Sequence, residues 1–137
     1  MPHPTSTDIA GRIEDLYGAP LAGLEAHAQD EPPGMLSALL GMHDALASAE
    51  RSIDFHRDHL TRLLHPERRI GPHEVSHILH GTRRLAEAVA VREAQATSVA
   101  AVLQSLARVP APMCASPAPS PPGPAVSLAA QNAAHSR

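Results

Sequence analysis

The sequence has no tryptophan and no lysine, and its 137 residues include one phenylalanine, one tyrosine and one cysteine. Strands favour aromatic and β-branched side chains, so this composition suits a β-sandwich poorly. Leu, Ile, Val, Met and Ala must supply the core instead, and these residues suit helices that approach one another closely. The sequence therefore predicts an all-α protein.

Other absences exclude further classes of protein. The single cysteine, Cys114, leaves no partner for an internal disulfide. The chain shows neither a signal-peptide pattern nor a run of 18 apolar residues, which predicts a soluble cytoplasmic protein with no membrane partner. The net charge of −3 gives no general attraction to nucleic acid or acidic lipid.

Proline and charge divide the chain into three regions. Residues 109–137 hold seven of the 14 prolines and one charged side chain, so we expect a disordered Pro/Ala-rich tail. Residues 1–34 carry six acidic side chains and one arginine, and predict an acidic N-terminal arm with short helices. The break at 32–34, Pro-Pro-Gly, separates this arm from residues 35–108.

Residues 35–108 have the pattern of two long helices joined by a short turn. In the first helix, expected over about 35–65, apolar residues recur every seven positions at Leu39, Leu46, Ile53 and Leu60. Pro72 begins the second helix, expected to end near 108, whose predicted core residues are Val75, Leu85, Val89, Val99 and Leu103. The pattern predicts an antiparallel helical hairpin with a coiled-coil-like seam.

Such a hairpin buries one stripe of each helix, which is little for independent stability. The sequence therefore predicts that the N-terminal helices cover the hairpin, or that two hairpins pair into a bundle. The partner is expected to be a second copy or another helical protein. Three polar residues on or near the seams are expected to pair with one another or to lie at a bundle edge: His43, Glu50 and Arg92.

The stretch over 70–85, "IGPHEVSHILHGTRRL", resembles a loose group of small, uncharacterised actinobacterial helical-hairpin proteins. The shared features are a proline followed by an acidic residue, then a His-Leu-like position and an Arg-Leu-like position. The resemblance extends over about half of the chain. It implies a helical hairpin and carries no activity with it.

The same stretch contains His73-Glu74-Val75-Ser76-His77, which is similar to the H-E-x-x-H motif of zinc metallopeptidases. Among these, the resemblance is closest to the small type that cleaves immunity repressors, in which another histidine follows, here His80. The resemblance implies zinc as cofactor, His73 and His77 as ligands, and Glu74 as general base.

We interpret this match as coincidental, for three reasons. Pro72 places the first histidine in the first turn of a helix, no strand precedes it to hold a peptide, and no third ligand is fixed, although Glu87 or Glu93 could serve. A helical wheel centred on Val75 also directs the histidines away from the apolar face.

The sequence thus favours a non-catalytic interaction or regulatory protein that acts through helix–helix contacts. One alternative is a zinc-dependent metallopeptidase or metal-binding protein that uses the histidines above. A second alternative is a DNA-binding regulator, in which a turn at Gly81 would create a helix-turn-helix. Four arginines form a candidate surface for a phosphate or an acidic partner: Arg68, Arg69, Arg83 and Arg84.

Overall fold

The computed structural model describes residues 2–108, which form four α-helices and no strand. They are α1 (Ser6–Tyr17), α2 (Leu21–Asp30), α3 (Met35–Leu63) and α4 (Pro72–Ala107). The all-α class and the hairpin of two long helices are confirmed. The predicted disordered tail, 109–137, lies outside the described residues.

Local capping residues fix where α1 begins and ends. Thr5 is the N-cap: its backbone N–H donates to Asp8 Oδ2 over 2.9 Å, and the Asp8 N–H donates back to Thr5 Oγ1. At the other end Gly18 has φ 69°, and its N–H donates to the Glu14 carbonyl oxygen. Glycine adopts this left-handed conformation without a steric penalty, so the chain turns here towards α2.

Proline and glycine also delimit the hairpin. Gly34 is the extended N-cap of α3, and residues 64–71 make the turn that returns the chain into α4. Pro72 occupies the first position of α4, where its missing N–H costs no helical hydrogen bond. Helices α3 and α4 then pack against each other as an antiparallel pair.

The two N-terminal helices cover the half of the hairpin that lies far from the turn. Ser6, at the start of α1, contacts Glu50 of α3, and α1 runs from there towards Leu103 and Ala107 near the end of α4. Helix α2 packs against α1 and α3. The main core cluster consists of Ile9, Ile13, Leu24, Leu39, Leu46, Ala96, Val99 and Leu103.

The main cluster does not extend into the half of the hairpin near the turn. In that half, Ile53, Leu63 and Ala88 are buried outside the main cluster. We call residues 55–88 the hairpin tip. Because α1 runs away from the turn, the tip is a two-helix structure that no third helix of the described chain covers.

The seam of α4 differs from the predicted one at its N-terminal end. Leu103 and Val99 are buried as expected, and Ala96 is buried as well. The next buried positions are Ala88 and Gly81, each one residue before a position of the seven-residue repeat that connects Leu103, Val89 and Val75. A straight helix drifts by about 20° per heptad against a strict seven-residue repeat, so the contact line moves along α4. Val75, which was expected in the core, is 45% exposed, and that expectation was wrong.

Gly81 allows α3 and α4 to approach closely at the tip. A Cβ atom added at this glycine would lie 3.0 Å from Leu60 Cδ2, which is tighter than ordinary van der Waals contact. Helix α4 continues through Gly81 without interruption from Pro72 to Ala107. The helix-turn-helix interpretation required a turn at this glycine, and in that form it is wrong.

Residues 2–108 include no helix that is both long enough and apolar enough to cross a lipid bilayer.

Two leucine-to-alanine substitutions on the hairpin test this arrangement. Leu46 is fully buried, so Leu46→Ala should lower the free energy of unfolding by about 2–5 kcal/mol, because it leaves a cavity in the main cluster. Leu79, on the same hairpin, is 66% exposed, and Leu79→Ala should change the free energy of unfolding of the dilute, monomeric chain by no more than about 0.5 kcal/mol. Chemical denaturation of both variants measures the difference. Equal effects would contradict the assigned core.

Candidate functional site

The first two turns of α4 bring His73 and His77 together. Their Nε2 atoms lie 3.0 Å apart, and their ring centroids are separated by 4.4 Å with the planes at 79°. Residues four apart share one face of a helix, so the helix itself brings the two rings together. Both residues are exposed, so the pair faces solvent.

Within the described residues, no third ligand converges on this pair. Across residues 2–108, no group of three or more His, Cys, Asp or Glu side chains is arranged to hold a metal ion. His80 is exposed but does not join the pair. The two carboxylates considered as third ligands have arginine partners instead: Glu87 pairs with Arg84 over 3.1 Å, and Glu93 with Arg92 over 3.6 Å.

Glu74, the candidate general base, is engaged at the start of α4. The Gly71 N–H donates to Glu74 Oε2 over 3.0 Å, which satisfies one of the free amides at the helix N-terminus. Hydrogen bonds from its own backbone N–H and from that of Gly71 hold the pKa of the Glu74 carboxyl below its ordinary value. A depressed pKa and a capping contact are typical of a structural carboxylate. A general base needs a pKa nearer the working pH.

The histidine pair lies beside the helix contact, on one side of α4. At 100° per residue from the buried Gly81, His77 and His73 lie about 40° and 80° to one side, while Val75 and Leu79 lie about 120° and 160° to the other. The wheel centred on Val75 placed the histidines opposite the apolar face. That placement was wrong because Val75 is not in the core; the histidines are exposed but adjacent to the seam.

Two histidines of α3, His56 and His59, lie on the same side of the tip as His73 and His77. His59 lies close to Gly81, and His56 lines a shallow pocket together with Arg84. The Phe55 ring makes an edge contact with His56, with centroids 5.2 Å apart, and lies parallel to the His59 ring at 6.3 Å. We call this side of the tip the histidine side, and the side with Val75 and Leu79 the apolar side.

The four candidate arginines lie at two levels of the hairpin. Arg68 and Arg69 are exposed in the turn, whereas Arg83 and Arg84 are exposed on α4, about 16 Å further along at 1.5 Å per residue. Arg84 is engaged with Glu87. The structure therefore places these arginines on one end of the molecule without collecting them into a single patch.

One long-range contact was not predicted from the sequence. Glu50 of α3 accepts a hydrogen bond from the Ser6 N–H over 2.8 Å and another from the Ser6 hydroxyl, so it holds the start of α1 against the hairpin. Pairing of Glu50 with Arg92 was one of the two arrangements expected from the sequence, and the structure does not show it. The nearest ionic partner of Arg92 in the described chain is its neighbour Glu93, and its buried Nε has no hydrogen-bond partner there.

Comparison of the chain with protein-family models, with curated proteins and with solved structures finds no match.

The substitution Glu74→Gln tests the capping role. A group whose folded-state pKa is lowered stabilises the fold above its unfolded-state pKa, and this stabilisation is lost as the pH falls through the folded-state value. The variant should therefore be less stable than the parent at neutral pH, and the difference should disappear in acid. Thermal unfolding between pH 7 and pH 3 measures it.

Glu25→Gln is the matched control, because the described hydrogen bonds give this α2 carboxylate no helix N-terminus to cap. It should show a smaller pH-dependent difference. A Glu74→Gln curve parallel to that of the parent at every pH would contradict the cap.

Proposed function

We propose that this chain is a non-catalytic helical interaction protein whose hairpin tip pairs with the tip of a second copy through helix–helix contacts. The observation that carries the proposal is the uncovered apolar surface of the tip. Of the nine exposed large apolar residues in the described chain, four lie in the turn and the first turns of α4: Leu64, Ile70, Val75 and Leu79.

On the apolar side of the tip, Val75 and Leu79 lie about 120° and 160° around α4 from the buried Gly81. Near Glu50, α1 packs on α3 and α4 and buries Ile9 and Ile13 completely. Closer to the turn no helix of the described chain takes that place, and Val75 and Leu79 remain exposed. Surfaces of this kind, apolar and rimmed by charge, are common at protein–protein contacts.

A second copy fits this surface for two reasons. Two hairpin tips would complete a four-helix bundle, in which each pair of helices covers the side that the other leaves open. A twofold contact also uses the same surface of both copies, so the apolar side of one tip would face the apolar side of the other. The resemblance to helical-hairpin proteins is consistent with this role and stays a prediction.

The geometry around His73 and His77 supports peptidase activity less well. The general base that such an enzyme needs is the carboxylate that caps α4, and no strand in residues 2–108 is placed to hold a peptide. A catalytic zinc ion usually has three protein ligands and one open position, whereas two histidines converge here.

Introducing negative charge on either side of the tip tests the proposal. Val75→Glu with Leu79→Glu should convert a concentration-dependent dimer into a monomer, because the contact would bury four like charges. Sedimentation equilibrium of the full chain in the presence of a metal chelator measures the mass. Both residues are exposed, so the double variant should keep its helicity and its melting temperature at low concentration.

Phe55→Glu is the control on the histidine side, since Phe55 is 61% exposed on the same tip. It should dimerise like the parent. A parent chain that remains monomeric at millimolar concentration, or a Phe55→Glu variant as disrupted as the double variant, would contradict pairing through the apolar side.

A further inference from the structure

The tip contains one arrangement that the proposed pairing does not use. On its histidine side, the Nε2 atoms of His73 and His77 lie 3.0 Å apart, and both residues are exposed to solvent. In the absence of a cation, a 3.0 Å separation requires one ring to donate its Nε2–H to the unprotonated Nε2 of the other. A cation that both nitrogens could share would replace this single hydrogen bond by two coordinate bonds.

The separation of the two nitrogens matches a chelate. Imidazole nitrogens bind divalent ions such as Zn²⁺ at about 2.0–2.1 Å, so two of them on one ion lie about 2.8–3.0 Å apart at a right angle and about 3.3–3.4 Å apart at the tetrahedral angle. The observed 3.0 Å corresponds to the right angle. Right-angled nitrogen ligands are typical of the tetragonal or square-planar coordination of Cu²⁺ and Ni²⁺.

We propose that His73 and His77 form a two-imidazole chelate for a divalent transition-metal ion, with Cu²⁺ and Ni²⁺ as the best-fitting ions. Each chain binds one ion, and the remaining coordination positions of the ion are open to water or to an external ligand. This site is independent of the apolar pairing proposed above and needs no catalytic carboxylate.

Electrostatics at the start of α4 both oppose and favour a bound cation. The positive end of the helix dipole lies in the turn that carries His73, which disfavours a cation there. The Glu74 carboxylate in the same turn, held at the helix start by the Gly71 N–H, offsets that field without being a ligand. The closest arginines in sequence are in the turn before the helix, and both are exposed to solvent, which screens them.

A chelate across one helical turn binds the folded helix in preference to the unfolded chain. In the unfolded state the two imidazoles are no longer held four residues apart on one face, so the ion binds more weakly there. Bound metal should therefore stabilise the first turns of α4 and raise the melting temperature with increasing concentration of the ion. This coupling gives the site a readout that requires no knowledge of its biological role.

The test uses the full chain, free of any affinity tag, with Cu²⁺, Ni²⁺, Zn²⁺ and Mg²⁺ added separately. The melting temperature should rise with Cu²⁺ most strongly, then with Ni²⁺ and Zn²⁺, and not with Mg²⁺, which prefers oxygen ligands. His73→Ala and His77→Ala should each weaken Cu²⁺ binding at least tenfold and abolish the rise. Both histidines are exposed and alanine favours helix, so neither variant should fail to fold.

His80→Ala is the matched control, since it removes an exposed histidine from the same helix without touching the pair. It should bind Cu²⁺ as the parent does. Electron paramagnetic resonance should show two equatorial nitrogens on Cu²⁺ in the parent and in His80→Ala, and one in either variant of the pair. Equal binding by the parent and His77→Ala, an equal loss in His80→Ala, or no rise with any ion would overturn the chelate.

Because this assay measures metal in a single chain, its failure leaves the dimer measurement untouched. Conversely, a monomeric parent that binds Cu²⁺ through the pair would overturn the apolar pairing and leave the chelate standing.

Discussion

The rest of the structure depends on the contact between α3 and α4. Each of these helices buries a single stripe, and far from the turn Leu39 and Leu46 of α3 form one cluster with Ala96, Val99 and Leu103 of α4. Two helices that pair in this way still leave both flanks of the seam open to water. The protein must therefore cover these flanks with other parts of the chain or with another molecule, and most of its remaining features follow from how it does so.

The first 34 residues cover one half of one flank. Helix α1 is 12 residues long, about 18 Å at 1.5 Å per residue, which is less than half of the length of α4. Its position is fixed at one end by Glu50, which accepts two hydrogen bonds from Ser6, and by Ile9 and Ile13 in the core. The half of the hairpin near the turn is thus left as a two-helix tip, with an apolar side and a histidine side.

Much of this fold was predictable from local sequence signals. Proline and glycine indicated the starts of α3 and α4 to the residue, because proline fixes φ and lacks an N–H, whereas glycine readily leaves the helical conformation. The line of contact on α4 was not predictable from a strict heptad. Whether a helix supercoils or stays straight depends on its neighbours, and here Ala88 and Gly81 are buried instead of positions in the strict repeat, which leaves Val75 exposed.

The Ser6–Glu50 contact joins residues 44 positions apart, and only the fold brings them together. At the candidate site, the spacing of His73 and His77 was visible in the sequence, whereas the capping contact of Glu74 required the structure.

Amide hydrogen exchange at two protein concentrations tests most directly whether the tip is an open structure that a second copy closes. Exchange from the tip depends on local opening, which a partner on the apolar side would suppress. At low concentration, amides in residues 72–85 should exchange much faster than those in residues 96–103, where α1 covers the hairpin. At high concentration the protection of residues 72–85 should rise while that of residues 96–103 stays the same. Equal protection of both segments at low concentration, or protection of the tip that does not change with concentration, would contradict this account.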